Sequence, residues 1–236
     1  MNNIPENYKK VLDKGYIGLV YKSGDDLDVV NAARVSYDKE SLEFSNRDQK
    51  LIDFLWKEGH TSPFRHCTMT FEVYAPLMVA RQHWKYVVAS SHIDDQIGWN
   101  ESSRRYITEE ASFYVPESFR SAPENSKQGS GADFSTFTNE FWQDALVRHI
   151  EASESLYEDA LNSGMCAEQA RLFLPAYGMY VRYRWTTSLH GVLNFLEQRL
   201  EHDAQKEIQE YAKAVKDYVQ EAYPYTFSTV FPPKGE

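Results

Sequence analysis

Two stretches of this chain, far apart in sequence, alternate between apolar and polar side chains with a period of two. In residues 67–74, Cys67, Met69, Phe71 and Val73 fall on one face and Thr68, Thr70 and Glu72 on the other. In residues 179–186, Met179, Val181, Tyr183 and Trp185 alternate with Tyr180, Arg182, Arg184 and Thr186. This is the pattern of an extended strand with one face buried. A third strand is predicted over 14–22, and Gly24-Asp25-Asp26 turns it into a helix over 27–35 with Asp26 as its N-cap.

Other segments carry helical spacing. Ser45 with Asp48 three residues on resembles a capping box, Leu51, Ile52, Leu55 and Trp56 form an apolar stripe, and Gly59 stops the helix. Pro76 suits the first turn of a helix carrying Arg81, Gln82 and Lys85. Further helices are predicted over 138–162, over 167–174 up to Pro175, and from a Ser188 cap to Arg199. In the last one Ile208, Tyr211, Ala212, Val215, Tyr218, Val219 and Ala222 share a face and Pro224 ends it. Few strands among several helices give an α+β class: one domain over 1–236, with a small mixed or antiparallel sheet packed by helices. No internal repeat is visible.

Residues 90–137 are loop-rich, and the Gly/Ser-rich run within 121–137 is a flexible excursion, either a lid or a tolerated insertion. With 236 residues, 42% of them hydrophobic and 14% aromatic, the chain can bury a large core. Its 25 basic against 35 acidic residues give a net charge of −10, which disfavours nucleic acid or anionic membrane as partners. No apolar run is long enough for a membrane span, and no secretory signal opens the chain. Cys67 and Cys166 show no metal or redox spacing, so a reduced, cytoplasmic thiol pair is expected.

In so acidic a chain, arginines beside apolar patterns require partners: Arg81, Arg104, Arg105, Arg171, Arg182, Arg184 and Arg199. A buried guanidinium pairs either with a carboxylate of the protein or with an anionic ligand such as phosphate. The densest polar cluster, Asn100-Glu101-Ser102-Ser103-Arg104-Arg105-Tyr106, has the hydroxyls and forked donors that bind phosphate, although a solvated loop has a similar composition. Nucleophile readings fare poorly. Cys67 alternates with core residues, Cys166 precedes a helix start with no adjacent histidine, and Ser103 lies outside any nucleophile elbow. The seven histidines show no metal spacing, so no metal is expected.

Read together, several motifs resemble the flavin-dependent thymidylate synthases. They are Ala32-Ala33-Arg34-Val35-Ser36, residues 59–66 (Gly-His-Thr-Ser-Pro-Phe-Arg-His), Ala80-Arg81-Gln82, and residues 100–106. In the C-terminal half they are residues 168–175 (Glu-Gln-Ala-Arg-Leu-Phe-Leu-Pro), Asn194-Phe195-Leu196 to Arg199, and Ala204-Gln205 to Ile208-Gln209. The resemblance runs in order over nearly the whole chain.

It implies a homotetramer with active sites at subunit interfaces. It also implies conversion of dUMP to dTMP with methylenetetrahydrofolate as carbon donor, NADPH as reductant and FAD as cofactor, without an enzymatic cysteine nucleophile. By resemblance, Gln82, Lys85, Glu101, Ser102, Ser103, Arg104, Arg105 and Arg171 surround dUMP. Arg199 is the catalytic arginine, which contacts the uracil and favours its ionised form. Ser36, His60, Ser62, Lys85, Tyr86, Val87, Glu101, Ser188, Leu189, His190 and Asn194 fall where the family contacts FAD.

One motif departs from the family. Where the family has Arg-His-Arg this chain has Lys85-Tyr86-Val87, and nine residues, 91–99, stand between Ser90 and Asn100 where the family has one. Lys85 keeps a charge without the guanidinium fork, and Tyr86 keeps an aromatic ring. His92 or Trp99 of the insertion is a candidate to restore flavin contacts, Trp99 by stacking; the plainer alternative is a lengthened surface loop. Two other functions stay open on sequence alone: a related C5 modification of a pyrimidine nucleotide, such as hydroxymethylation, and a nucleotide-binding relative without catalysis.

Overall fold

The computed structural model describes residues 4–88, 98–103, 110–124 and 129–233, with the side chains of residues 87 and 88 outside that description. Five strands form one sheet in the order β1-β2-β3-β5-β4: β1 (Lys9–Val11), β2 (Gly15–Ser23), β3 (Thr68–Pro76), β4 (Gly98–Glu101) and β5 (Tyr180–Ser188). Every pairing is antiparallel, so the open choice between a mixed and an antiparallel sheet is decided. Eight α-helices are present among the described residues. They are α1 (Asp26–Arg34), α2 (Asn46–Lys57), α3 (Leu77–Val88), α4 (Thr136–Asn162), α5 (Ala167–Ala170), α6 (Leu189–Arg199), α7 (Lys206–Ala222) and α8 (Pro224–Val230).

Both alternating segments are strands, and they are each other's central partners, pairing from Thr68↔Ser188 to Pro76↔Tyr180. Met69, Phe71, Val73, Val181, Tyr183 and Trp185 are all buried beneath helices. The amphipathic face of α7 closes that layer: Tyr211 donates to the Tyr74 carbonyl at 2.7 Å, and the Tyr218 ring lies 6.2 Å from Phe71. Gly15 permits this approach, because a Cβ there would stand 2.1 Å from the Tyr211 hydroxyl.

Several elements differ from the sequence expectation. Pro76 closes β3 rather than opening α3. β1 and β4 are too short to show a period. Pro224 does end α7, but it also opens α8 as its first residue. The α1 N-cap is Asp25, whose side chain accepts from the Leu27 and Asp28 amides. Asp26 is buried and caps α8 instead, accepting from the Tyr225 and Thr226 amides at 2.9 and 2.8 Å and from the Thr226 hydroxyl at 2.5 Å. That contact spans the whole sequence, and local spacing could not reveal it. Thr136 and Phe137 already belong to α4, so that helix takes the end of the span assigned to the excursion. At the base of that span, Ser121 donates to the Ala132 carbonyl at 2.9 Å.

The capping box at α2 does more than start a helix. Asp48 accepts from the Ser45 amide (2.8 Å) and hydroxyl (2.5 Å), from the Ser41 hydroxyl (3.0 Å) and from Arg34 of α1 (2.5 Å). Burial alone would raise this carboxyl, but the bonds from Ser45, Arg34 and Ser41 prevail and hold it at about 2 against an ordinary 3.8. A carboxyl depressed on folding stabilises above its unfolded pKa and loses that contribution as pH falls through the folded value. Asp48→Asn is therefore expected to cost roughly 2 kcal/mol in urea unfolding at neutral pH. The difference from wild type should shrink as pH falls from about 4 toward 2; a difference independent of pH would contradict the assignment.

Candidate active site

Strand alternation gives the sheet two unlike faces. On one, His83 of α3 is fully buried against β5, with Nδ1 2.9 Å from the Tyr183 hydroxyl. Its ring stacks on Phe195 of α6 at 4.6 Å and meets Trp185 edge-on at 4.3 Å. Burial, with the Arg199 charge nearby, pushes His83 down to about 3. Trp99 of β4 stacks on Tyr183 at 4.2 Å and 21°. One face of the Trp99 ring is thus committed to the sheet; His92 lies outside the described residues.

The other face carries Tyr16, Glu72, Tyr74, Arg182 and Arg184 and floors a cavity of about 1610 Å³. Tyr16 stacks on Tyr74 at 5.4 Å and Tyr74 on Tyr180 at 4.8 Å. The Glu72 side chain, 10% exposed, receives Arg184 at 3.3 Å and Arg182 at 3.7 Å. For these two arginines the internal ion pair is therefore the answer. Five basic and four acidic side chains line the cavity, the reverse of the chain's 25 to 35 balance.

Three residues expected at a nucleotide phosphate line this cavity. Ser102 is clipped to the end of β5, donating its amide to the Arg182 carbonyl at 2.8 Å and accepting the Arg182 amide on Oγ at 3.0 Å. Ser103 follows it, and Arg171 reaches the cavity from the 3-10 turn after α5, its Nε donating to the Glu168 carbonyl at 3.2 Å. Glu101 also borders the cavity. Strand parity turns its side chain with Trp99 toward α3, and burial raises its pKa against the opposing bond from Trp99 and charge of Arg81. Arg104 and Arg105 lie outside the described residues.

Gln82 and Arg199 belong to the helices on the opposite face. Gln82 donates to the Gln205 side chain. Gln205 in turn donates to Glu207 at 2.8 Å, and Glu207 pairs with Arg120 at 2.6 Å. Burial tends to raise Glu207, but the bonds from Gln205 and Arg120 carry it below its usual range. The Arg199 guanidinium lies 5.3 Å over the Tyr86 ring, and its Nε is buried without a partner among the described residues. Lys85 is exposed on α3. The sheet thus separates one set of expected nucleotide contacts from the other.

The expected flavin contacts divide as well. Ser36, His60 and Ser62 are exposed, and His190 and Asn194 are half-buried. The 3-10 turn Ser62–Arg65 packs on α1 and α6, and Trp56 at the end of α2 lies against Phe64 of that turn and His190 of α6. His190, Asn194 and Gln198 recur every fourth residue as a polar stripe, with Gln198 donating to Asn194 at 3.0 Å. Ser188, Leu189 and Tyr86, also expected at the flavin, are interior in the single chain. Ser188 Oγ accepts the Gly191 amide as the α6 N-cap, Leu189 is core, and Tyr86 is 4% exposed. The Val87 side chain lies outside the description. The exposed remainder offers hydroxyls, an amide, two imidazoles and the Lys85 cation. Such a donor set fits the pyrophosphate and ring carbonyls of a flavin dinucleotide.

Sequence reasoning missed Glu72, Gln198 and Gln205. Glu72 sits on a strand's polar face, and only its register opposite Arg184 shows that it is an anchor. Cys67, buried and pushed up to about 12 by burial and nearby Asp28, is a core residue as expected. No three-residue metal cluster exists among the described residues.

Residues 19–225 match the family described as thymidylate synthase complementing protein. The chain is 36% identical over 218 residues to the flavin-dependent thymidylate synthase of Thermosipho africanus, covering 92% of this chain and 91% of that one. It is 38% identical over 219 residues to an enzyme of the same name from Thermus thermophilus, covering 92% and 76%. Among solved structures it is similar to a UMP/dUMP methylase, PolB from Streptomyces cacaoi, bound with 5-Br dUMP. That likeness has a TM-score of 0.79 at 28% identity and covers 94% and 96% of the two chains. The same methylase bound with 5-Br UMP gives 0.78.

The buried His83 yields a direct test. Its imidazole should stay neutral in NMR titration from pH 8 to 5. Because the unfolded state takes the proton first, His83 weakens the fold progressively as pH drops below about 6.5. A His83 resonance titrating near 6.5 would contradict its burial.

Proposed function

The chain belongs to the thymidylate synthase complementing protein family, that of the flavin-dependent thymidylate synthases, and from that membership we propose that it methylates dUMP to dTMP. In this reading methylenetetrahydrofolate is the carbon donor, NADPH the reductant and FAD the cofactor. The observation that carries it is the cavity lined by Ser102, Ser103 and Arg171, residues that by resemblance stand at the family's nucleotide positions.

Each residue has a physical task. The Arg171 fork and the two serine hydroxyls are donors for a phosphate dianion. Arg199 carries a fixed charge to the base, where it stabilises the negative charge that develops on the ring as C5 becomes nucleophilic. Gln82, oriented through Gln205 and Glu207, supplies a directional amide. Ser36, His60, Ser62, Lys85, His190 and Asn194 would hold FAD. Bound there and reduced by NADPH, the flavin would supply the hydride that completes the methyl group.

Since Arg171 and Arg199 stand on opposite sides of the sheet, one nucleotide meets both most simply when a second copy supplies one of them. A homotetramer with interface active sites has that property. The surface of α4 favours such an assembly: of its 27 residues only Ser153 and Ala160 are buried, while Phe137, Phe141, Trp142 and Leu156 are 83%, 56%, 49% and 54% exposed. The substrates are nucleotide, folate and reduced nicotinamide, with no nucleic acid or membrane; no described helix is long and apolar enough to cross a bilayer. A cytoplasmic location suits two unbridged cysteines.

A second reading is that the ribonucleotide UMP is also accepted, because the solved structures similar to this chain are named UMP/dUMP methylases. Anaerobic incubation with an equal mixture of dUMP and UMP, methylenetetrahydrofolate, FAD and NADPH, followed by mass spectrometry, separates the readings. Methyl gain on dUMP that requires both FAD and NADPH is the expected result, and methyl gain on both nucleotides supports the second reading. A hydroxymethyl product, or unchanged nucleotide despite binding, would overturn both.

A further inference from the structure

We propose that Tyr86 is a positioning residue for Arg199, a platform that holds the guanidinium where the pyrimidine ring meets it; this rests on the reading that Arg199 faces the base. By resemblance Tyr86 belongs to the flavin motif, but its ring lies inside the protein at 4% exposure. Its hydroxyl donates to Gln198 at 2.9 Å, its edge meets Phe195 at 5.1 Å and 86°, and its face lies beneath the Arg199 guanidinium, 5.3 Å from the ring centroid. Phe195 also stacks on His83, so the platform is wedged between α3 and α6.

The Tyr86 hydroxyl also bonds to Arg199, so Tyr86 holds the guanidinium by both its face and its oxygen. Among the described residues no carboxylate pairs with Arg199, and its Nε is buried without a partner. The neighbouring His83 is neutral, held down by burial and by Arg199 itself. An arginine side chain has several freely rotating bonds, and ordering them on binding opposes affinity. A ring face attracts the cation without neutralising it, so the full positive charge stays available to a ligand; a carboxylate in the same place would cancel it. The hydroxyl bond to Gln198, the residue before Arg199, ties the platform to the same turn of helix that it supports.

The test is a double-mutant cycle read in dUMP affinity of the flavin-loaded protein by calorimetry, with kcat/KM as the second readout. Tyr86→Phe keeps the ring but loses the hydroxyl bonds to Gln198 and Arg199, and should weaken affinity by less than Tyr86→Leu does. Tyr86→Leu removes the face and should weaken affinity by about 3- to 30-fold. In an Arg199→Ala background the same Tyr86→Leu change should have almost no further effect, because the group it positions is gone. Thermal unfolding of each variant verifies folding, and Tyr86→Met, close in bulk without a π face, replaces Leu if that variant does not fold. Equal losses from Tyr86→Leu with and without Arg199 would overturn the proposal, as would wild-type affinity in Tyr86→Leu. If wild-type protein binds neither dUMP nor UMP, or Arg199→Ala leaves affinity and turnover intact, the proposed function fails and the platform with it.

Discussion

The nine-residue antiparallel ladder between β3 and β5, from Thr68↔Ser188 to Pro76↔Tyr180, decides which residue reaches which side of the sheet. A slip of one residue would turn Trp185 and Tyr183 outward and bury Arg182 and Arg184. The ladder also launches two helices that carry candidate site residues. β3 runs directly into α3, with Gln82 and Tyr86, and β5 runs through the Ser188 cap into α6, with His190, Asn194 and Arg199. His83 against Tyr183 and Phe195 then locks the two helices onto the shared layer. Because these anchors are core contacts, the polar ends of both helices inherit their rigidity.

In a chain of net charge −10, the arginines fall into distinct physical classes. Arg182 and Arg184 share the nearly buried Glu72, and Arg34 and Arg120 serve the buried Asp48 and Glu207. These pairs are architecture: removing one partner leaves a buried charge uncompensated. Arg171 and Arg199 are different, since no described carboxylate answers either one. One is fixed by a backbone carbonyl and the other by a tyrosine face, and the proposed function assigns them to the phosphate and the base of the nucleotide.

Most of this fold is legible in local sequence. The period of two in 67–74 and 179–186, the Ser45–Asp48 box and the stripe of α7 are each written within a dozen or so residues, and each corresponds to an element. What escaped depends on distant partners. Asp26 looks like the cap of its own helix and caps α8 instead. β1 and β4 exist because neighbouring strands offer them bonds. The candidate site divides in the same way: its residue types were visible, while the burial of Tyr86, Ser188 and Leu189 was not. A strand or helix pattern reports which face is apolar, but not which of its polar members are covered by another element. Nor does it show that Arg171 and Arg199 are divided by the sheet.

That division is the centre of the account, and mixing two inactive variants tests it most directly. Arg171→Ala and Arg199→Ala proteins, unfolded together in equal amounts and refolded, form mixed assemblies. If each nucleotide meets Arg171 of one copy and Arg199 of another, random mixing restores about a quarter of wild-type dUMP methylation, since half the copies are intact at each position. If both arginines act on one nucleotide from the same chain, no copy in the mixture carries a complete set. The mixture would then stay as inactive as its parents, contradicting the shared site.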